Sequence, residues 1–256
     1  SDMITVYPMG DPHLGMYAWA EECGEDFDCD IARDNLTGAV SNLVERSPAT
    51  HTAIILNLGD FFHGDSAKNT TTKGTDVDVD GRWARVLKIG VESMIQCVYS
   101  ALKKHKRVIV RNVIGNHDDH SSQMLSIALA CYFSNNKRVD VDESPSHFWY
   151  YQFGKVLLGS THGDMAKPDR LESIMASDKS KEWGDTEYRY WLTGHIHSQN
   201  TKEYPGCVWE SFRTLASKDA WHSAMGYRSG RDMKSIIYHK EYGEIERHTM
   251  SLKMLR

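Results

Sequence analysis

Cysteine is scarce in this 256-residue chain and badly placed for crosslinking. Cys23, Cys29, Cys97, Cys131 and Cys207 are odd in number and irregular in spacing, which argues against a disulfide framework and for reduced thiols. No two of them form a CxxC pair, so a cysteine-rich zinc site is excluded as well; Cys23 and Cys29 merely flank an acidic loop. No apolar run approaches the ~20 residues of a membrane helix, and no basic segment followed by a hydrophobic one opens the chain. A soluble, cytoplasmic protein with no membrane partner is expected. Repeats, low-complexity tracts and Pro/Ser linkers are absent too, so a single domain over residues 3–256 is expected, with Ser1-Asp2 a remnant of expression ahead of Met3. At 40% hydrophobic content, that length can bury one sizeable core.

Net charge is −5, unevenly spread. Residues 1–80 hold 15 Asp/Glu against 4 Lys/Arg, residues 81–200 hold 13 against 16, and residues 201–256 hold 7 against 10. Two divalent cations would neutralise part of the acidic first third. The mildly basic remainder can meet phosphate, although such faces are more often simply solvated.

What is present is one figure repeated five times: a short apolar, β-branched run ending in a polar tip. Ile4-Thr5-Val6-Tyr7 leads to Asp11-Pro12-His13, and Ala53 to Leu58 leads to Gly59-Asp60. Val108 to Ile114 leads to Gly115-Asn116-His117-Asp118, Lys155 to Ser160 to His162-Gly163-Asp164, and Tyr188 to Leu192 to Gly194-His195-Ile196-His197. Asn and Asp are poor continuations of a strand, so each tip should be a loop, and a buried strand feeding a polar loop is how α/β proteins present chemistry. One His or Asp at such a place is usually a cap or a turn residue. Five tips that supply only His, Asp and Asn offer the oxygen and imidazole donors suited to borderline and hard divalent metals. His195 and His197 are expected on one side of an extended segment, converging on a metal. His63, His120 and His222 read as surface or packing residues, and Arg82, Arg213 and Arg228 as ordinary surface cations able to meet phosphate.

Between these tips, Ile31, Leu36, Val40, Leu43 and Val44 mark a helix that starts near Asp30 or Asp34 and stops at Pro48. The nearly all-apolar run Ala53 to Leu58 implies a strand covered on both faces. Phe61 to Gly81 is an unusually long polar connection: a substrate-contacting loop beside the metal site, or a disordered insertion. Trp83 to Leu102 is a long amphipathic helix, and its closing Lys103-Lys104-His105-Lys106-Arg107 fits dipole compensation and solvation better than contact with DNA. Ser121 or Ser122 caps the next helix, which runs through Phe133. Phe148–153 and Val156–160 form a hairpin about Gly154-Lys155. Pro168 opens a short helix with Leu171, Ile174 and Met175 inward. From Val208 short strands are expected, ending in a hairpin of residues 235–239 and 244–248.

Taken together, Asp11-x-His13, Gly59-Asp60, Gly115-Asn116-His117-Asp118, His162 and Gly194-His195-x-His197 resemble, in kind and order, the signature of the calcineurin-like metallophosphoesterase superfamily. The resemblance spans residues 4–197. It implies an α/β fold, a four-layer αββα sandwich of two mixed sheets with ligands on loops at the strands' carboxyl ends. It also implies one metal held by Asp11, His13, Asp60 and His197 and another by Asp60, Asn116, His162 and His195, with Asp60 shared. His117 would be the non-ligand histidine beside the phosphate. Asp11-Pro12-His13-Leu14-Gly15 and Gly115-Asn116-His117-Asp118-Asp119 look closest to exonuclease subunits of double-strand-break repair, and the tail resembles phage and bacterial relatives labelled DNA exonucleases.

The chemistry of those residue types is consistent. Two cations ~3.5–4 Å apart activate a water as hydroxide for in-line attack and clamp the phosphate oxygens. A carboxylate such as Asp60 can bridge them, Asn116 adds a carbonyl oxygen without charge, and His117 can stabilise the phosphoryl group or protonate the leaving oxygen. Asp118 or Asp65 is expected to orient His117. Manganese is the expected metal, with iron and zinc as alternatives. The expected function is a two-metal phosphodiesterase acting on nucleic acid, DNA in particular. Alternatives are a phosphomonoesterase or small-nucleotide phosphodiesterase, and a catalytically inactive scaffold.

Overall fold

The computed structural model describes residues 2–218 and 229–255. Its first sheet contains β1 (Met3–Met9), β2 (Thr52–Asn57), β3 (Arg107–Asn112), β4 (Val139–Asp142), β10 (Asp232–His239) and β11 (Gly243–Ser251), in the order β11-β10-β1-β2-β3-β4. β1 to β4 are mutually parallel, while β10 and β11 add antiparallel pairs on the β1 side. The second sheet has β5 (Trp149–Phe153), β6 (Val156–Ser160), β7 (Tyr188–Thr193), β8 (Asn200–Tyr204) and β9 (Cys207–Ser211), in the order β5-β6-β7-β9-β8 and parallel at β6–β7 and β7–β9.

Strand periodicity builds the layers, because alternate side chains leave opposite faces. In β2, Ala53 and Ile55 face a core shared with α2 (Cys29–Arg46), α3 (Trp83–Leu102) and α4 (Asp119–Phe133). Ile54 and Leu56 face the other way, into a cluster with Val156, Leu158 and Leu192 of the second sheet. On that sheet's outer face, Leu157 and Trp191 pack against Leu171 and Met175 of α5 (Pro168–Asp178). Helix, sheet, sheet, helix is the four-layer αββα sandwich expected. Two short helices, α1 (Ala20–Cys23) and α6 (Ser180–Asp185), and a 3-10 turn (Leu252–Leu255) are also found among the described residues. Each Ile or Leu fully buried between the sheets contributes about 1.5–3 kcal/mol, enough to hold the two sets of strand ends in fixed relation.

The parallel arrangement places the site. α2 and α3 cross from β1 to β2 and from β2 to β3, so all three strands end at one edge; β6 and β7, also parallel, end beside it in the second sheet.

Several expectations are corrected. α2 starts at Cys29, beside Asp30 as expected, and the residue that caps it is Asp28, whose Oδ1 accepts the Ile31 N–H at 2.8 Å. α4 begins at Asp119, ahead of Ser121 and Ser122, because the remote Asp65 carboxylate accepts its first N–H groups from His120 (3.1 Å) and Ser121 (2.8 Å). β4 and β8 are edge strands without a hydrophobic run to announce them. Within the basic cluster, Lys104 reaches the last carbonyls of α2, at Glu45 (2.5 Å) and Ser47 (2.7 Å), His105 is buried against Tyr7 and Thr50, and Arg107 pairs with Asp140. Residues 61–81 are folded, pairing Phe62 with Leu14 and Val79 with Met16. The five cysteines are free thiols, four of them buried and Cys131 exposed. Among the described residues no helix is long and apolar enough to cross a membrane. His222 and Arg228 lie outside the described residues.

Candidate metal centre

All five polar tips meet at the shared edge of the two sheets. Asp11, His13 and His197 bring ligand atoms within 4.8 Å of one another, as do Asp60, His162 and His195. His13 Nε2 and His197 Nε2 face each other at 3.0 Å, with Asp11 Oδ1 3.6 Å from the latter. In the second group, His162 Nε2 has two oxygens from different strand ends at 3.1 Å, Asp60 Oδ2 and Asn116 Oδ1. The groups are tied together: Asp60 O accepts the His13 N–H at 3.0 Å, and both Asp11 oxygens accept the His195 N–H at 2.9 and 3.0 Å.

The backbone is shaped for this convergence at a cost. Six non-glycine residues among those described have positive φ, and five of them are Asp11 (45°), His13 (47°), Asp60 (49°), His195 (71°) and His197 (53°). Left-handed backbone is unfavourable for side chains with a Cβ, and its concentration at one place marks a site that the surrounding structure over-determines. It also corrects the expectation for His195 and His197. They do not share one side of an extended segment; left-handed turns at both send His195 to the Asp60 group and His197 to the Asp11 group.

Glycine precedes three of the tips because nothing larger fits. A Cβ on Gly115 would lie 2.1 Å from Asp60 Oδ1, one on Gly59 2.6 Å from His162 Nδ1, and one on Gly194 2.7 Å from Asp11 Oδ2.

Charge is balanced inside the cluster. Burial disfavours the charged imidazole of His162, but Asp60 and Asp11 outweigh it and push its pKa up to about 10. Burial likewise opposes ionisation of Asp60, yet His162 and His117 hold that carboxyl well below the usual range. His197 is raised, because Asp11 overcomes burial, whereas burial and His162 together lower His195. The donor set thus fits divalent cations: two anionic carboxylates, a neutral amide oxygen and four imidazoles converge with their hydrogen-bonding atoms facing one another, and a cation would replace the proton now shared between Asp60 and His162.

Not every expected role survives. Asp118 does not orient His117: its Oδ2 accepts the Phe62 N–H at 3.0 Å and its Oδ1 the Gly115 N–H at 3.2 Å. Burial and the nearby Asp60 charge push its pKa up to about 8. Asp65 is spent on α4 and Thr72. What holds His117 is the His63 carbonyl, which accepts from its Nδ1 at 2.7 Å. His63 was expected to be a surface or packing residue; it is buried inside the centre, with Nδ1 3.1 Å from His13 Nδ1 and its ring stacked 5.2 Å from that of His117. The only sequence signal for it was position, three residues beyond Asp60. His120 is exposed and bound to Asp65, as a surface residue should be. Arg213 is paired with Asp232 at 2.6 Å, and Arg82 precedes the first residue of α3 without a side-chain capping bond.

Asp118→Ala is therefore expected to act on stability. It would strand the buried N–H groups of Phe62 and Gly115 and cost about 2–4 kcal/mol in urea unfolding of the metal-free protein. An unchanged midpoint would refute the anchoring role.

No protein-family model and no curated protein matches the chain. Solved structures do. A dimetal phosphatase from Danio rerio is 8% identical with a TM-score of 0.51, over 97% of this chain and 99% of that one. An archaeal phosphodiesterase is 14% identical with a TM-score of 0.45, over 97% and 99%. Vps29 from Entamoeba histolytica, complexed with Zn2+, is 14% identical with a TM-score of 0.38, over 97% and 99%. The zebrafish phosphatase shares the two-sheet sandwich described above.

Proposed function

We propose that this chain is a calcineurin-like metallophosphoesterase that uses two divalent cations, manganese first among them, to hydrolyse phosphodiester bonds in nucleic acid, DNA in particular. One observation carries the reading: two adjoining donor groups, drawn from five strand ends and both sheets, border a cleft of about 440 Å³ that His117 also lines. In this reading Asp11, His13 and His197 would hold one cation and Asn116, His162 and His195 the other, with Asp60 available to both. Bound there, the cations supply Lewis acidity, lowering the pKa of water and offsetting charge on the phosphoryl oxygens.

The rest is the work of the protein's own groups. The His63 carbonyl accepts from His117 Nδ1, which fixes the tautomer and leaves Nε2 to face the phosphoryl group. In its protonated form Nε2–H donates to the oxygen that departs, the step for which a positioned histidine is suited. Folded segment 64–80 forms one wall of the cleft, through Thr71, Lys73, Thr75, Asp76 and Val77. This favours the substrate-contacting reading of that loop. The resemblance of the Asp11 and Gly115 motifs to repair exonucleases supports a DNA substrate.

The cleft's volume supports a second reading, since about 440 Å³ lies in the range of small-ligand sites and would suit a phosphomonoester or a single nucleotide. A substrate panel separates the two. With manganese, the purified protein is expected to degrade linear DNA and to turn over bis(p-nitrophenyl) phosphate. Activity confined to p-nitrophenyl phosphate or free nucleotides would overturn the diesterase reading, and failure to bind any metal would favour an inactive scaffold.

A further inference from the structure

Segment 64–80 is a small pinned finger. Asp65 N–H donates to Thr70 O at 2.8 Å, Val77 N–H to Asn69 O at 2.9 Å, and Thr71 N–H to Thr75 O at 2.8 Å. Its tip closes on Gly74, at φ 85°, whose N–H reaches Thr71 O at 2.9 Å. Glycine takes that backbone without strain. The finger is also fastened to the scaffold of the metal centre. The Thr72 hydroxyl donates to the Asp65 carboxylate at 2.7 Å and accepts the Asp119 N–H at 3.0 Å, directly after the Asn116-His117-Asp118 tip. The finger's tip is therefore held beside the cleft that Asn116 and His117 line by partly buried hydrogen bonds.

Lys73 sits at that tip, exposed, and lines the cleft with Asp60, Asn116 and His117. It is the only Lys or Arg lining the cleft among the described residues, and it stands in the part of the chain poorest in cations, 4 Lys/Arg among residues 1–80. It has no ion-pair partner among the described residues. The carboxylate of Asp76 is exposed on the same wall. An ammonium without a carboxylate partner among the described residues, carried on a hydrogen-bonded turn beside a site for one phosphate, is placed for a second anion.

We propose that Lys73 is a specificity-determining residue that binds a second phosphate of the substrate, adjacent to the one being cleaved, and so favours a phosphodiester chain over an isolated ester. This rests on the phosphoesterase reading above. Calorimetry on the manganese-loaded protein, with thymidine 3′,5′-bisphosphate and thymidine 5′-monophosphate as probes, tests it without turnover. Wild type is expected to bind the bisphosphate about tenfold more tightly than the monophosphate. In Lys73→Ala that ratio should fall below about twofold with monophosphate affinity and melting temperature unchanged, and Lys73→Arg should restore it. In kinetics, Lys73→Ala should raise KM about tenfold for oligonucleotides and by a much smaller factor for bis(p-nitrophenyl) phosphate. A wild-type ratio retained in Lys73→Ala, or equal losses on both probes, would overturn the proposal. If the binding ratio behaves as stated but no ester is hydrolysed, the esterase reading fails and the Lys73 assignment stands; hydrolysis with an unchanged ratio gives the converse.

Discussion

Asp60→Asn is expected to give a folded protein with depleted metal and a kcat lower by about a thousandfold or more, since several kcal/mol of charge stabilisation depends on the cations it would share. The amide oxygen can still accept the His117 N–H that Asp60 Oδ1 now takes at 2.8 Å, so the turn persists while the negative charge goes. A second readout follows from His162. Its folded pKa, about 10, lies above the ordinary 6.5, so the metal-free protein carries an imidazolium there at pH 7. The stability this adds is fully present below pH ~6.5 and is lost as pH climbs toward 10. A cation must displace that proton, so uptake at pH 7 should release it and tighten as pH rises. Calorimetry in buffers of different ionisation enthalpy measures the release, which should shrink in Asp60→Asn because the partner holding the proton is gone. Metal content and proton release both equal to wild type would refute the shared-carboxylate assignment.

His117→Ala should separate chemistry from metal binding. The expected result is a kcat lower by about 10²–10⁴ with KM and metal content near wild type, the signature of a lost proton donor. The structure also puts His117 within ligand reach of His13 and His63, so metal analysis of this variant is decisive. Loss of a cation would reassign His117 as a ligand; an unaltered kcat would remove it from the mechanism.

Much of this was legible because apolar strands and polar tips are local patterns. β1, β2, β3, β6 and β7 each have a hydrophobic run, and α3 has its stripe from Trp83 to Leu102. What escaped depends on partners remote in the chain. The start of α4 is decided by Asp65, 55 residues before His120 and 56 before Ser121, and no local window contains those contacts. β8 is an exposed edge strand of polar residues, held by pairing with β9. In the centre, the residue types could be named from the tips, but not the left-handed backbone that separates His195 from His197, nor the use of His63's carbonyl and ring together. A main-chain oxygen has no identity in a sequence, so no residue type announces the carbonyl that holds His117.

The five left-handed side-chain-bearing positions at the centre have a consequence for how this protein can change. Glycine at any of them would relieve roughly 1–2 kcal/mol of backbone strain while deleting a donor atom. Selection for heat resistance alone would therefore favour glycine at His195, whose imidazole makes no hydrogen bond among the described residues, while the Asp60–His162 pair resists the same change, and a variant recovered that way should be sturdier and inert.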